Sequence, residues 1–239
     1  MKKLFTLLFF CGLAYSATAQ LEVHAAIGPS FPVGKYGSDR LDQGGYAQVG
    51  FAAELGAHWF ITKRFGVQGL VALQGHKLDN SELQRDFVQN LLATSVDIST
   101  GNYSNTLILF GPFYRFNPYD TERFAWTFRA NLGFMRGSID DFSLNVTGED
   151  ANGQVNYQYQ EPDEASSILA LSAGTDMQYF FNSKLAVRVG ITYVHANPDY
   201  NLLLPDGLAT KNERDVTFFN FNVGASIRIA GKVKSDDEE

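Results

Sequence analysis

The sequence predicts an all-β protein: an eight-stranded antiparallel up-and-down transmembrane β-barrel with long extracellular loops and short periplasmic turns. Three observations carry that expectation. Residues 124–136 alternate, with Phe124, Trp126, Phe128, Ala130, Leu132 and Phe134 on one face and Ala125, Thr127, Arg129, Asn131, Gly133 and Met135 on the other. A period of two marks a strand with one apolar and one polar face, and about a dozen unbroken residues suffice to cross an outer membrane with the rings toward lipid. Seven further segments repeat the pattern. Their connections alternate between long and short, as in an even-numbered barrel with both chain ends on the short-turn side.

Residues 1–19 read as a secretory signal peptide: Lys2 and Lys3, an apolar core over residues 4–13, then Ala17, Thr18 and Ala19 before cleavage ahead of Gln20. The core is about ten residues long, against roughly twenty for a membrane-spanning helix. Cys11, the only cysteine, lies inside that core, so the exported chain uses neither disulfide nor thiol chemistry. The formal charge of −7 argues against nucleic acid as a partner. Residues 20–230 form one barrel domain and residues 231–239 a charged periplasmic tail.

Strand one, residues 21–32, sets Leu21, Val23, Ala25, Ile27 and Phe31 against Glu22, His24, Gly28 and Ser30. Residues 34–45, rich in Gly and charge, are loop. Strand two, residues 46–61, sets Val49, Phe51, Ala53, Leu55, Ala57 and Trp59 against Gln48, Gly50, Glu54, Gly56 and His58. After a tight turn, strand three (65–76) sets Phe65, Val67, Val71 and Leu73 against Gln68, Gln74 and His76. The connection 77–102 holds Leu83, Phe87, Leu91 and Leu92 at helical spacing behind a Ser81 cap. Strand four, residues 103–116, contains Pro112, which suggests a bulge or an irregular stretch.

Strand five is the alternating segment already described. Within the long loop 139–165, Val155, Tyr157 and Tyr159 alternate, as in a hairpin reaching beyond the membrane. Strand six (166–181) and strand seven (185–195) flank a tight turn at Asn182, Ser183 and Lys184. Residues 196–214 form a loop with Pro198 and Pro205, and strand eight, residues 215–230, closes the set. A soluble lipocalin-like barrel also alternates. It would have to fill an eight-stranded interior with Phe124, Trp126, Phe128, Phe134, Phe219 and Phe221 from two strands alone, too much bulk for a lumen that side chains just fill.

The polar face then lines the lumen and carries Glu22, Glu54 and Asp176 with Arg115, Arg129, Arg188 and Arg228. Buried charges need partners, so these seven, with Gln48, Gln68, Asn131, Gln178, Asn220 and Asn222, predict a network of ion pairs and amides. It serves either as a static plug or as a gate of exchangeable salt bridges. His24 and His58 face the lumen on adjacent strands, within reach of each other and of Glu22 or Glu54. Hydrogen-bonded histidines are the expectation there, since a metal needs three converging ligands. No G-x-S-x-G elbow, His–Ser pair, phosphate-binding Gly loop or Cys/His spacing is present, and the acids Asp140, Asp141, Glu149 and Asp150 fall in loops. The expectation is no enzyme, no cofactor and no metal.

Rings flank all three short turns: Trp59, Phe60 and Phe65; then Tyr114, Phe116, Tyr119, Phe124 and Trp126; then Tyr179, Phe180 and Phe181. This is the placement of an interfacial aromatic girdle.

The end of the leader at Ala17, Thr18, Ala19 and Gln20, the segments HAAIGPSFPVGKYG (24–37) and FITKRFGVQ (60–68), and the last strand FFNFNVGASIRI (218–229) resemble the small outer-membrane β-barrel proteins of Bacteroidota, the porin-family and PorT-like barrels. The resemblance covers the whole exported chain. It implies an eight-stranded barrel in the outer membrane; PorT-like members are linked to a secretion apparatus for proteins with C-terminal sorting domains. One departure from proteobacterial barrels is the polar, charged run that replaces a terminal aromatic. The partners implied are outer-membrane lipid and lipopolysaccharide, the barrel assembly machinery, and an extracellular or envelope protein met through the loops. Two functions follow as alternatives: a plugged scaffold presenting loops 77–102 and 139–165, or a small gated pore set by Arg115, Arg129, Arg188 and Arg228.

Overall fold

The computed structural model describes residues 20–39, 45–91, 93–99, 101–118, 123–139, 143–150, 153–160, 166–197, 199–203, 209–213 and 215–229. The expected signal peptide (1–19) and charged tail (231–239), and with them Tyr119, Asp140 and Asp141, lie outside the described residues.

In chain order the elements are β1 (Gln20–Val33), β2 (Gly50–Phe60), β3 (Phe65–Lys77), α1 (Asn80–Leu91), β4 (Ala93–Ser99), β5 (Asn102–Phe116), β6 (Phe124–Ile139), β7 (Ser143–Asp150), β8 (Gly153–Gln160), β9 (Ser166–Phe180), β10 (Leu185–Ala196), β11 (Asp199–Leu203), β12 (Ala209–Glu213) and β13 (Val216–Ile229). Eight of them close into an antiparallel barrel in the order β1-β13-β10-β9-β6-β5-β3-β2, with β2 returning to β1. Closure pairs every strand on both sides and leaves no sheet edge, the condition for a sheet to sit in lipid.

The faces are inverted relative to a soluble barrel. Phe110 and Phe134 are each 63% exposed on the outer face, whereas their neighbours Leu109 and Met135 are buried in the lumen. So wide an apolar exterior marks a lipid-facing surface. At the short-turn end Phe116, Trp126 and Phe128 stack in series at 5.7–6.0 Å, and Phe124, Tyr179 and Phe181 continue the ring edge-on. Phe60 and Phe180 do not belong to this girdle. They fall on the inward phase of their strands and are buried in the lumen mouth.

Two of the short turns are held by side chains. Thr62 Oγ1 accepts from the Phe65 amide (3.0 Å), and Asn182 Oδ1 accepts from Lys184 (2.9 Å) and Leu185 (2.8 Å); such side-chain acceptors mimic a backbone turn. Pro112 produces no bulge. The register is the same at Phe110↔Leu132 and Phe113↔Arg129, but the pairing with β6 is interrupted at residues 111 and 112 between them, the irregular stretch a proline without an amide donor brings, while the pairing with β3 runs on.

The long-loop end differs from the sequence expectation in four places. Strand two starts at Gly50, not at residue 46: Tyr46 has a φ of 48° and is buried beside Tyr36 over the barrel mouth. The helix cap is Asp79, not Ser81. Asp79 Oδ1 accepts from the Glu82 amide at 3.2 Å and from the Ser81 hydroxyl at 2.7 Å, and the Leu83 amide bonds to the Asp79 carbonyl. Ser81 is already helical and cannot serve as cap. The helix ends at Leu91, and β4 pairs with the β7–β8 hairpin in a three-stranded sheet outside the barrel. Glu149 and Asp150 therefore end a strand. Residues 199–213, expected as loop, form the β11–β12 hairpin.

Candidate functional site

The alternation of each strand decides which side chains enter the lumen, and the register decides which meet. Glu22 on β1 lies directly opposite Arg228 on β13 and His58 on β2. Fully buried, its carboxylate accepts two bonds from Arg115 across the lumen (2.7 and 2.8 Å) and one from Gln178 (2.6 Å). Arg228 Nε lies 3.5 Å from it. Arg115 also donates to Thr127 at 3.0 Å and rests over the Phe60 ring at 4.6 Å, while Arg228 covers Phe180 at 3.8 Å. The short-turn mouth is thus shut by two aromatic rings, each under a guanidinium, a favourable cation–π arrangement.

A second tier lies one step further in. Arg129 donates to both oxygens of Glu54 (2.7 and 3.2 Å) and to Thr192 (2.6 Å); Arg188 donates to Asp176 (2.7 Å). Each acid is shared, because Arg188 also stands 3.5 Å from Glu54 and Arg129 3.5 Å from Asp176. The two arginines and two acids form a square rather than two isolated pairs. Bidentate Arg–carboxylate contacts of this kind are what make a buried charge tolerable.

The histidines join the tiers. Their rings lie 4.7 Å apart; His24 Nε2 donates to Glu54 (3.1 Å) and His58 Nε2 to Gln68 (2.8 Å). From His58 a chain runs through Gln68, Asn131 (2.6 Å) and Ser172 (2.8 Å). Gly56 makes room for the His24 ring, since a Cβ there would stand 2.5 Å from it. Among the described residues no group of three or more His, Cys, Asp or Glu side chains is arranged to hold a metal.

All nine charged and histidine side chains singled out from the sequence enter one lumen: Glu22, His24, Glu54, His58, Arg115, Arg129, Asp176, Arg188 and Arg228. Gln48 does not. It precedes β2 and donates to Asp79 at 2.9 Å on the exposed side. Asn220 and Asn222 face the lumen further in and are buried there.

Sequence reasoning missed the other half of the lumen. Toward the long-loop end it turns apolar, with Leu70, Leu107, Leu109, Met135, Val194, Val216 and Phe218 packed together. Tyr36 reaches into this layer from the connection after β1. It is fully buried, 5.2 Å from Tyr103 and 5.3 Å from His76, and its hydroxyl accepts from Asn105 at 3.2 Å. His76 is fixed between Ser30 (3.2 Å) and the Gln48 carbonyl (3.0 Å). The one signal in the sequence was Tyr36 itself, a large ring among glycines and charges. Periodicity is blind to a loop that folds inward.

A buried hydroxyl–imidazole contact, Ser30 with His76 at 3.2 Å, lies between the ion pairs and the rings. Ion pairs and amides occupy the short-turn half of the lumen, and aliphatic side chains and rings the long-loop half. The profile of the outer membrane protein beta-barrel domain family matches residues 4–228. Among solved structures, Neisserial surface protein A is similar at 15% identity over 88% of this chain and 99% of that one, with a TM-score of 0.49. The attachment invasion locus protein Ail of Yersinia pestis is similar at 13% over 90% and 99%, with a TM-score of 0.44. A major outer membrane protein from Thermus thermophilus is similar at 12% over 88% and 99%, also at 0.44. No curated protein matches the chain. With its closed eight-stranded barrel, its apolar exterior and this match over nearly its whole length, the chain belongs to the outer membrane protein beta-barrel domain family and is a protein of the outer membrane.

Proposed function

We propose that the protein is a plugged surface scaffold: a barrel exported through its signal peptide, anchored in outer-membrane lipid and lipopolysaccharide, that presents its long connections to an extracellular or envelope partner. It is not an enzyme and takes no cofactor, metal or nucleic acid. The short turns lie in the periplasm, where the barrel assembly machinery receives the chain, and α1, the β4-β7-β8 sheet and the β11–β12 hairpin lie outside.

The observation that carries this reading is the double closure of the lumen. Ion pairs span it from β1 to β5 and from β2 to β6, and a separate layer of rings lies above them. A conducting pore needs a continuous wet path, and eight strands leave just enough interior for side chains. One observation favours the gated pore as a second reading: the shared acids of the Arg129–Arg188 square allow a guanidinium to change partners without losing its counter-charge. The resemblance to PorT-like barrels favours a third, an accessory of a secretion apparatus. Single-channel recording of the refolded mature barrel separates the first two. Silence from a folded, heat-resistant barrel supports the plug, whereas steady conductance that shifts in Arg129→Gln supports the pore.

A further inference from the structure

Closure removes every edge from the barrel, but the strands beyond it form two sheets that do not close. An open edge carries a row of unpaired amide and carbonyl groups, and proteins blunt such edges with short strands, charges or a covering element. β11 and β12 are five residues each and carry Asp199, Lys211 and Glu213. β4 contains Asp97 and lies against α1, where Gln84 donates to the Val96 carbonyl at 2.9 Å and Leu83 and Val96 are buried in one cluster. β8 shows none of these devices. It pairs with β7 on one side, and among the described residues no strand pairs with its other side. Its eight residues, Gly153–Gln160, include no charge and no proline. It is the long, uncharged edge of the molecule.

The charges lie at its two ends, and all are acidic. Glu149 and Asp150 end β7 at the turn into β8, and Glu161, Asp163 and Glu164 follow β8 in the sequence. No lysine or arginine occurs within residues 149–164. A second copy of the chain is therefore a poor occupant. Antiparallel pairing of β8 with β8 sets the 149–150 end of one chain beside the 161–164 end of the other, and parallel pairing sets each end beside its like. Both oppose acid to acid, which is destabilising. A strand with an uncharged middle and a cation at either end fits in both directions.

We propose that the free edge of β8 takes up an extended segment of another protein by strand addition, the segment being an uncharged stretch flanked on both sides by Lys or Arg. The proposal rests on the scaffold reading above, in which the long connections meet a protein partner, and it supplies the chemistry of that partner. Main-chain bonds give the pairing and the acids give the selectivity. Exposed ion pairs are individually weak, so the several available here set a preference of about tenfold, which fades as salt rises.

The test titrates the mature barrel, refolded in lipid nanodiscs, with fluorescent peptides read by anisotropy. One peptide has an alternating Thr–Val core with paired lysines at each end, and a second has glutamates in their place. Two more are the lysine peptide N-methylated along one edge or along both, since alternate amides of a strand face opposite edges. The lysine peptide and its one-edge form bind, whereas the glutamate and both-edge forms bind at least about tenfold more weakly. Tyr157→Pro and Gln158→Pro weaken the lysine peptide, and Glu149→Gln with Asp150→Asn narrows its advantage over the glutamate peptide. Heat-modifiable migration confirms that each variant retains the barrel. Binding unchanged by both prolines overturns β8 as the site, and equal binding of the both-edge peptide overturns strand addition. Equal binding of the lysine and glutamate peptides overturns the charge selection. A dimer in native mass spectrometry that Gln158→Pro abolishes overturns the foreign segment in favour of a second copy. A silent barrel that binds no peptide overturns this proposal and leaves the scaffold reading intact, whereas a conducting barrel that still prefers the lysine peptide supports this proposal and sinks the plug.

Discussion

Replacing Glu22 by alanine tests whether the lumen is held by its ion pairs. Glu22 is fully buried and is the acid closest to three cations or amides at once: Arg115 at 2.7 Å, Gln178 at 2.6 Å and Arg228 at 3.5 Å. Removing it leaves the buried Arg115 without a counter-ion, which costs about 3–5 kcal/mol. The unmatched Gln178 amide adds about 1 kcal/mol. The double variant Glu22→Ala with Arg115→Met removes both charges and refills the lumen with an apolar stem, and replacing a whole pair is close to neutral. In urea, with a slope of about 2 kcal/mol/M, Glu22→Ala lowers the unfolding midpoint of the refolded barrel by about 2–3 M, and the double variant recovers most of that loss. A single variant within about 1 kcal/mol of wild type, or a double variant as unstable as the sum of its singles, refutes the idea of a tightly coupled plug.

Other outcomes follow from the same contacts. Gly56→Ala places a methyl 2.5 Å from the His24 ring and lowers stability by about 1–3 kcal/mol, the usual cost of overpacking, read from the same urea curves. Tyr36→Ala empties the aromatic layer and frees Asn105; it costs about 3 kcal/mol, in the range for large aromatic truncations, and speeds hydrogen exchange at Tyr103 and Phe218. Hydrogen bonds from Gln48 and Ser81 hold the Asp79 carboxyl below its ordinary value. A depressed carboxyl stabilises above the unfolded pKa of about 3.9, and this contribution is lost as pH falls through the folded value. Amide exchange at Glu82 and Leu83 therefore accelerates below about pH 4, and Asp79→Ala removes that dependence.

The barrel was legible because residues 124–134 alternate large apolar side chains with small or polar ones at a period of two, and because seven further segments repeat that period. The lower lumen was legible for a related reason. A charge on a strand's polar face must find a partner, so the identities of Glu22, Glu54, Asp176 and the four arginines already implied a network, though only the register shows that Arg115 reaches Glu22 and Arg129 reaches Glu54. The upper lumen was not legible. Leu107 and Met135 occupy the same phase as Arg115 and Arg129, so the polar face changes character along its length without changing period. Tyr36 and Asp79 act from connections, where side-chain contacts rather than periodicity set the conformation. The β4-β7-β8 sheet was hidden by its distance in sequence, since β4 pairs with a strand beyond β5 and β6.

Cysteine labelling at two adjacent positions tests the central claim most directly, because Cys11 is the only cysteine and belongs to the expected leader. Phe110 is outward and Leu109 inward in the filled lumen. In the folded, membrane-inserted barrel, Phe110→Cys carries a fluorophore that lipid-borne quenchers extinguish, and Leu109→Cys resists water-soluble maleimide from both sides. Rapid aqueous labelling of Leu109→Cys would show an open channel, and aqueous labelling of Phe110→Cys would show that this face does not meet lipid; either result contradicts the plugged barrel.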